Sequence, residues 1–246
     1  MTAPDVPSGG TDGHGSGAPE SSDAYSRAVE RTSRLLARID ERTAVPATPG
    51  WLARDVLAHL VGVADDVLAG NVQQYAQDQW TEAQVAARRD RSVDDLLSDW
   101  ESLVEPLVAV LRDPVARGLD ASFASLPVID LLAHEHDLRE AVGEVGFADA
   151  TVWTAVESRR REVLALQHAM ALLPPLEVRT DDGDRWTFGE GPGGATVTAP
   201  RYELWRSLEG RRTRSAVADF DWTVDPGAYL DHWVAFVFEW VPEPAP

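Results

Sequence analysis

The sequence of 246 residues contains no cysteine and no lysine. Without cysteine the chain has no disulfide framework, no thiolate metal ligand and no cysteine nucleophile, so any thiol chemistry requires a thiol brought by a co-substrate. The sequence also lacks a run of about 18 apolar residues, and its first residues do not pair a basic segment with an apolar one as a signal peptide does. We therefore expect a soluble cytoplasmic protein.

Basic residues are few compared with acidic ones. The chain carries 22 basic and 41 acidic residues, which gives a formal net charge of −19. A field of that sign repels nucleic acid and anionic membranes, so we expect neither as a partner. The length and the 44% hydrophobic content are sufficient for one large or two modest domains. They leave open whether the protein is a monomer or a small homo-oligomer.

The first two thirds of the chain show helical periodicity. Residues 1–22 are rich in Gly, Ser, Pro and Asp, and we expect a disordered tail there. Residues 23–174 predict an antiparallel four-helix bundle. The segment 71–91 is polar and is interpreted as a helical extension followed by a loop. The other predicted helices span 22–42, 51–70, 92–111, 125–142 and 150–172, and Ser92 and Ser125 are expected to cap the third and fourth of these.

The pattern changes after residue 175. Short alternating segments, separated by Gly-rich and Asp-Gly turns, predict strands of an antiparallel sheet. Two short helices are predicted at 202–208 and 229–238. Residues 175–246 are therefore expected to form a small α+β domain, and the whole chain is of the α+β class. The predicted strands span 176–180, 186–188, 195–198 and 216–222.

Ionisable residues are concentrated within the apolar pattern of the helix at 125–142. On a helix, Asp130, His134 and Asp137 fall within a narrow arc, whereas His136 and Arg139 point away from it. The spacing of four residues between Asp130 and His134 is what a helix needs to present two side chains to one metal ion. The same pair also occurs on helices that bind nothing, where hydrogen bonds satisfy both side chains.

His59 is a candidate third ligand, in the middle of the apolar face of the helix at 51–70. It is either a neutral buried residue or a metal ligand, and the pattern alone allows both interpretations. Asp55 and Asp66 flank the same arc. They are either partners of the second His59 nitrogen or solvated residues at the edge of the face.

Two segments of the bundle resemble a known family. Residues 49–60, PGWLARDVLAHL, and 130–139, DLLAHEHDLR, followed by AVG at 141–143, resemble the mycothiol-dependent maleylpyruvate isomerases, a branch of the DinB-like metal-binding bundles. ATV at 195–197, a short helix and GRR at 210–212 resemble the sterol-carrier-protein-like second domain of that family. The resemblance spans nearly the whole chain.

The resemblance implies a site as well as a fold. The family's metal ligands fall on His59, Asp130 and His134. Its typical acid is Glu, so Asp130, which is one methylene shorter, either lies closer to the metal or binds it through water. An arginine of the second domain completes the family's active site, and it falls on Arg211 or Arg212. Two imidazoles and one carboxylate leave an open position, for which zinc is the expected metal and iron or nickel are alternatives.

The resemblance implies an enzyme that uses a low-molecular-weight thiol, mycothiol, as cofactor or co-substrate. The reaction is either isomerisation of a maleylpyruvate-type substrate or transfer of the thiol to another small-molecule electrophile, and nothing in the sequence selects the electrophile. The competing hypothesis is a bundle protein that binds a metal or a ligand without turnover.

Overall fold

The computed structural model describes residues 17–75, 77–234 and 239–243, and it belongs to the α+β class. Among these residues no helix is both long and apolar enough to cross a membrane. A four-stranded sheet follows the helical part of the chain. The helices are α1 (Gly17–Leu36), α2 (Ala53–Ala69), α3 (Asp78–Ala87), α4 (Val93–Arg112), α5 (Leu126–Ala141), α6 (Thr151–Met170), α7 (Arg201–Leu208), α8 (Arg214–Ala218) and α9 (Gly227–Leu230).

Helices α1, α2, α4 and α5 pack around one core and confirm the predicted four-helix bundle. Helices α1 and α4 are antiparallel, because Ser22 near the start of α1 accepts a hydrogen bond from Arg112 at the end of α4. Helices α1 and α5 run in the same direction, since Arg31 of α1 pairs with Glu135 of α5, and Arg38 just beyond α1 pairs with Glu144 just beyond α5. At the centre of the core, the fully buried Trp100 donates a hydrogen bond to the Tyr25 hydroxyl over 3.3 Å.

Helices α2 and α4 begin where their capping residues lie. The Asp55 carboxylate in the first turn of α2 accepts a hydrogen bond from the Leu52 backbone N–H over 2.9 Å. Ser92 caps α4 by accepting from the Asp95 backbone N–H over 3.1 Å, as its sequence predicts. Helix α2 ends at Gly70, whose φ of 75° lies in the left-handed region that favours glycine. These signals fix the ends of the helices that carry the candidate ligands.

Every residue of α5 from Pro127 to Leu138 is buried, except Asp130, which is half-buried. The bundle covers one side and the C-terminal part of the chain covers the other. A helix in this position has no solvated face, which explains why its apolar stripe is weak. Its polar side chains must therefore find partners inside the protein.

Three predictions about the helical part are corrected. The sequence predicts a disordered tail at residues 1–22. Residues 1–16 lie outside the described part of the chain, whereas residues 17–22 form the start of α1, where Ser22 is fully buried. The segment 71–91 does not extend α2, because it forms the separate helix α3. Ser125 does not cap α5 through its side chain, since a 3-10 turn at Ala121–Ser125 leads directly into that helix.

The sheet has the order β2-β1-β3-β4 and contains β1 (Leu176–Thr180), β2 (Arg185–Phe188), β3 (Ala195–Ala199) and β4 (Asp221–Trp222). Strands β1 and β2 form a hairpin, and β3 pairs with β4 in the antiparallel sense. The prediction of an all-antiparallel sheet is wrong, because β1 and β3 are parallel, with Val178 opposite Val197. The alternating burial along β1 and β2 matches the alternating sequence.

The elements after β3 differ in part from the prediction. Helix α7 forms as expected. The prediction of a strand at 216–222 is wrong for its first residues, because they belong to the short helix α8. Thr213 caps this helix by accepting a hydrogen bond from the Ala216 backbone N–H. The strand proper is limited to β4. Of the helix predicted at 229–238, the structure has only the short α9, and residues 235–238 lie outside the described part.

A buried ion pair joins α6 to the C-terminal part. Arg160 donates two hydrogen bonds of 2.5 Å to Glu209, in the bidentate arrangement that favours arginine over lysine. Glu209 is fully buried, and it also accepts from the Trp205 indole N–H over 2.9 Å. A carboxylate in this position depends on its partners because water does not reach it.

We predict that the buried residues Ser22, Ala24 and Tyr25 are required for the stable fold. Deleting residues 2–16 should leave the melting temperature unchanged. Deleting residues 2–26 should lower it by roughly 5 to 15 °C, because this removes the buried Ser22, Ala24 and Tyr25. Differential scanning calorimetry of both deletions measures the effect, and equal melting temperatures would contradict the burial of this segment.

We also predict that Arg160→Met destabilises the protein by about 3 to 5 kcal/mol, because it leaves the Glu209 carboxylate buried without its cation. The control is Arg34→Met, which breaks an exposed pair with Glu30 one turn away and should cost about 0.5 kcal/mol or less. Urea unfolding monitored by circular dichroism measures both. Similar losses in the free energy of unfolding for the two variants would show that burial does not make the Arg160–Glu209 pair more important than an exposed pair.

Candidate metal centre

Two helices bring three candidate ligands together. Helix α2 supplies His59, and α5 supplies Asp130 and His134 one turn apart. His59 Nε2 lies 3.4 Å from Asp130 Oδ2, and His134 Nε2 lies 3.8 Å from Asp130 Oδ1. One ligand atom from each residue falls within 4.8 Å of the others. The three side chains that the sequence singled out thus converge on one point.

The surroundings of Asp130 test whether the cluster fits a metal ion. Its Oδ2 atom is buried and has no hydrogen-bond donor of good geometry among the described residues. Both imidazoles are almost fully buried and approach it through Nε2. A carboxylate with one buried oxygen that lacks a donor, and with an imidazole nitrogen near each of its two oxygens, is an arrangement that a divalent ion satisfies. The residues present therefore fit a metal with two nitrogen ligands and one oxygen ligand.

The charge of Asp130 is stabilised by its neighbours. Burial by itself raises the pKa of a carboxyl group, but the facing His59 and His134 imidazoles and the more distant Arg211 hold the pKa of Asp130 below its usual value. The carboxylate is therefore ionised at neutral pH, as a metal ligand must be.

His134 is oriented from behind by Asp137. Its Nδ1 lies 3.0 Å from Asp137 Oδ2, close enough for a strong electrostatic contact although the angle is not that of a good hydrogen bond. Burial opposes the charge of Asp137, but Arg211 and Arg206 hold its pKa well below the usual value. An ionised carboxylate attracts a proton and cannot donate one, so Asp137 favours the neutral imidazole with its proton on Nδ1. The Nε2 lone pair then faces Asp130, which is the tautomer that a metal ligand requires.

His59 is oriented by a residue that sequence reasoning missed. Its Nδ1 lies 2.8 Å from the Oε1 atom of Gln84, on α3. Asp66, expected as a possible partner of His59, contacts Gln84 instead, and Asp55 is used as the cap of α2. No motif marks Gln84, because its role depends on how α3 packs against α2. It follows that α3 belongs to the site.

The cluster lies in the wall of a cavity of about 490 Å³. Aromatic residues form part of the lining, and Trp51 stacks on the His134 ring with centroids 5.9 Å apart. Three arginines reach the same cavity although the chain as a whole is strongly acidic. A cavity of this size with apolar walls and a few converging polar groups is typical of a small-molecule site. The aromatic and arginine lining residues are Trp51, Tyr75, Trp80, Arg159, Arg160 and Arg211.

The two arginines expected from the second domain have different positions. Arg211 lines the cavity, and its Nε lies 3.1 and 3.2 Å from the two oxygens of Asp137. Arg212 is absent from the lining and binds Glu140 and Glu203 instead. Because the side chains of adjacent residues diverge here, only Arg211 reaches the wall that holds the candidate ligands. His136 is also turned away, with its Nε2 accepting from the Ala148 backbone N–H, as the helical geometry predicted.

Comparisons with known proteins agree with this fold. Residues 25–139 match the family model described as the mycothiol maleylpyruvate isomerase N-terminal domain. The chain is also similar to two crystal structures, of a mycothiol-dependent maleylpyruvate isomerase (TM-score 0.50) and of its histidine-to-alanine mutant (TM-score 0.55). In each case the identity is 14%, over 85% of this chain and 93% of the other, so the likeness establishes the fold. No curated protein sequence matches the chain.

Proposed function

We propose that this chain, whose residues 25–139 match the family model of the mycothiol maleylpyruvate isomerase N-terminal domain, is a metal-dependent enzyme that uses a low-molecular-weight thiol. The observation that carries the proposal is the cluster of His59, Asp130 and His134 in the wall of a cavity. The chain has no cysteine, so the reacting sulfur comes from a second molecule, for which the family favours mycothiol.

The metal would be held by His59, Asp130 and His134. Zinc is the first expectation for two imidazoles and a carboxylate, and iron or nickel accept the same ligands. The chemistry that such an ion supplies when bound is to lower the pKa of a thiol, so that the thiolate exists at neutral pH. The protein's part is to keep Asp130 ionised and to direct the Nε2 atom of both imidazoles toward it.

The cavity lining would determine what happens to the electrophile. The aromatic walls exclude water from the nucleophile, and the Arg211 guanidinium orients a substrate carboxylate. In an isomerisation, the sulfur adds to one carbon of a cis double bond, and the electron pair moves onto the conjugated carbonyl. Rotation about the new single bond and expulsion of the same thiolate then give the trans isomer. In an S-transfer to such an alkene the carbon–sulfur bond is kept, the enolate takes a proton from water, and the conjugate leaves.

We predict that the purified protein contains, or takes up, about one divalent ion per chain. A His59→Ala/His134→Ala double variant should lose most of this metal, because only one of the three proposed ligands remains. The matched control is His232→Ala, which removes an exposed histidine elsewhere. Elemental analysis decides the question, and equal metal content in the wild type and the double variant would end the proposal.

We further predict that turnover requires an added thiol and depends on Arg211. Arg211→Met should lose turnover by on the order of a hundredfold while keeping its metal, because the guanidinium no longer positions a carboxylate near the sulfur. Arg212→Met should lose far less, since Arg212 binds Glu140 and Glu203 instead of lining the cavity.

The assay follows maleylpyruvate and a panel of generic electrophiles, with and without mycothiol. Turnover without thiol would exclude the mechanism. Equal losses in the two arginine variants would contradict the role of Arg211. Tight metal binding without turnover on any electrophile would instead support a binding protein.

A further inference from the structure

A chain of hydrogen-bonded polar groups runs from the buried His59 and Gln84 to the surface of α2. His59 Nδ1 lies 2.8 Å from Gln84 Oε1, and the Gln84 amide nitrogen donates to Asp66 Oδ2 over 2.6 Å. The other Asp66 oxygen accepts from the Asn71 side-chain amide over 2.8 Å. Gln84 is almost fully buried, so its amide has no water to substitute for these partners.

Only one assignment of donors and acceptors satisfies this chain of hydrogen bonds. An ionised Asp66 only accepts hydrogen bonds, so the NH₂ group of Gln84 must face it. The Gln84 oxygen then faces His59, and an amide oxygen also only accepts. The proton shared with Gln84 must therefore be carried by His59 Nδ1. In the neutral imidazole this leaves the lone pair on Nε2, the atom that faces Asp130.

Glycine at position 62 makes this contact possible. A Cβ atom at Gly62 would lie 2.5 Å from the Cβ and 2.6 Å from the Cγ of Gln84, closer than real side chains approach. Gly62 and His59 are three residues apart on α2 and so lie on the same side of that helix. The absence of a side chain at 62 thus allows α3 to approach until Gln84 reaches the His59 ring.

We infer that Gln84 is a positioning residue that fixes the tautomer of His59, with Asp66 setting the direction of the amide and Gly62 providing the space. The effect of this tautomer on metal binding rests on the proposed function. The assignment of the tautomer does not, because it follows from the hydrogen bonds alone. The two imidazoles of the centre are then held by different groups, His134 by the charged Asp137 and His59 by a neutral amide. One imidazole therefore faces a negative charge, and the other faces a neutral amide.

The first arm of the test observes the tautomer directly in the full-length protein freed of metal by a chelator. Long-range proton–nitrogen NMR spectra at about pH 8.5, well above the ordinary histidine pKa of about 6.5, distinguish the two neutral forms. We expect the Nδ1–H form for His59 in the wild type and its loss in Gln84→Leu. The double variant Asp66→Asn/Gln84→Glu keeps an acceptor toward His59 and should restore the Nδ1–H form.

The second arm measures zinc affinity by competition with a chromophoric chelator. Gln84→Leu should weaken binding by about 10- to 100-fold, the usual effect of removing such a partner. Gly62→Ala should weaken binding in the same direction, and Asp66→Asn/Gln84→Glu should recover most of it. The matched control is Gln74→Leu, which changes an exposed glutamine and should have no effect. Melting temperatures of all variants show whether the fold is kept.

The outcomes separate the two proposals. An Nε2–H form of His59 in the wild type, or a folded Gln84→Leu variant with unchanged tautomer and unchanged zinc affinity, overturns the inference about Gln84. If the wild type shows the Nδ1–H form of His59, and Gln84→Leu loses it, but the wild type binds no zinc, then the role of Gln84 is supported and the metal centre is rejected.

Discussion

The structure depends on the burial of four consecutive polar residues on α5, from His134 to Asp137. Polar groups removed from water need partners, and α5 has no solvated face along this stretch to provide water. Each side chain therefore meets a different part of the protein. His134 faces the cavity and Glu135 pairs with Arg31 of α1, while His136 meets the backbone after α5 and Asp137 meets Arg206 and Arg211. One helix thus ties the bundle to the C-terminal part.

This arrangement places the candidate centre at the junction of the two parts of the chain. Asp137 contacts His134 on one side and Arg211 on the other, so one carboxylate links a proposed ligand to the proposed substrate-binding guanidinium. The low pKa of Asp137 follows from the two arginines that surround it. The C-terminal part therefore contributes to the electrostatics of a site whose candidate ligands all come from the bundle. An isolated bundle would leave Asp137 without its cations.

The sequence was most informative where a single helix sets the geometry. The spacing from Asp130 to His134 and the direction of His136 away from them follow from 3.6 residues per turn, and both hold in the structure. Because His59 lies in the middle of an apolar helical face, the sequence predicts that it faces the core, and it is buried there in the structure. The β1–β2 hairpin also follows from local alternation and a turn. The parallel pairing of β1 with β3 does not, because it depends on the path of a connection rather than on either strand.

The sequence by itself thus determined the class of fold, the helices of the bundle and the residues that converge on the candidate centre. The tertiary structure decided what surrounds them. Gln84 is recognisable only once α3 packs against Gly62, and Arg211 is distinguished from Arg212 only once α7 is docked on α5. Periodicity reports which face of one element is buried, but it has no information on which side chain of another element comes to lie against that face. The partners of His59 and His134 are contacts of that second kind.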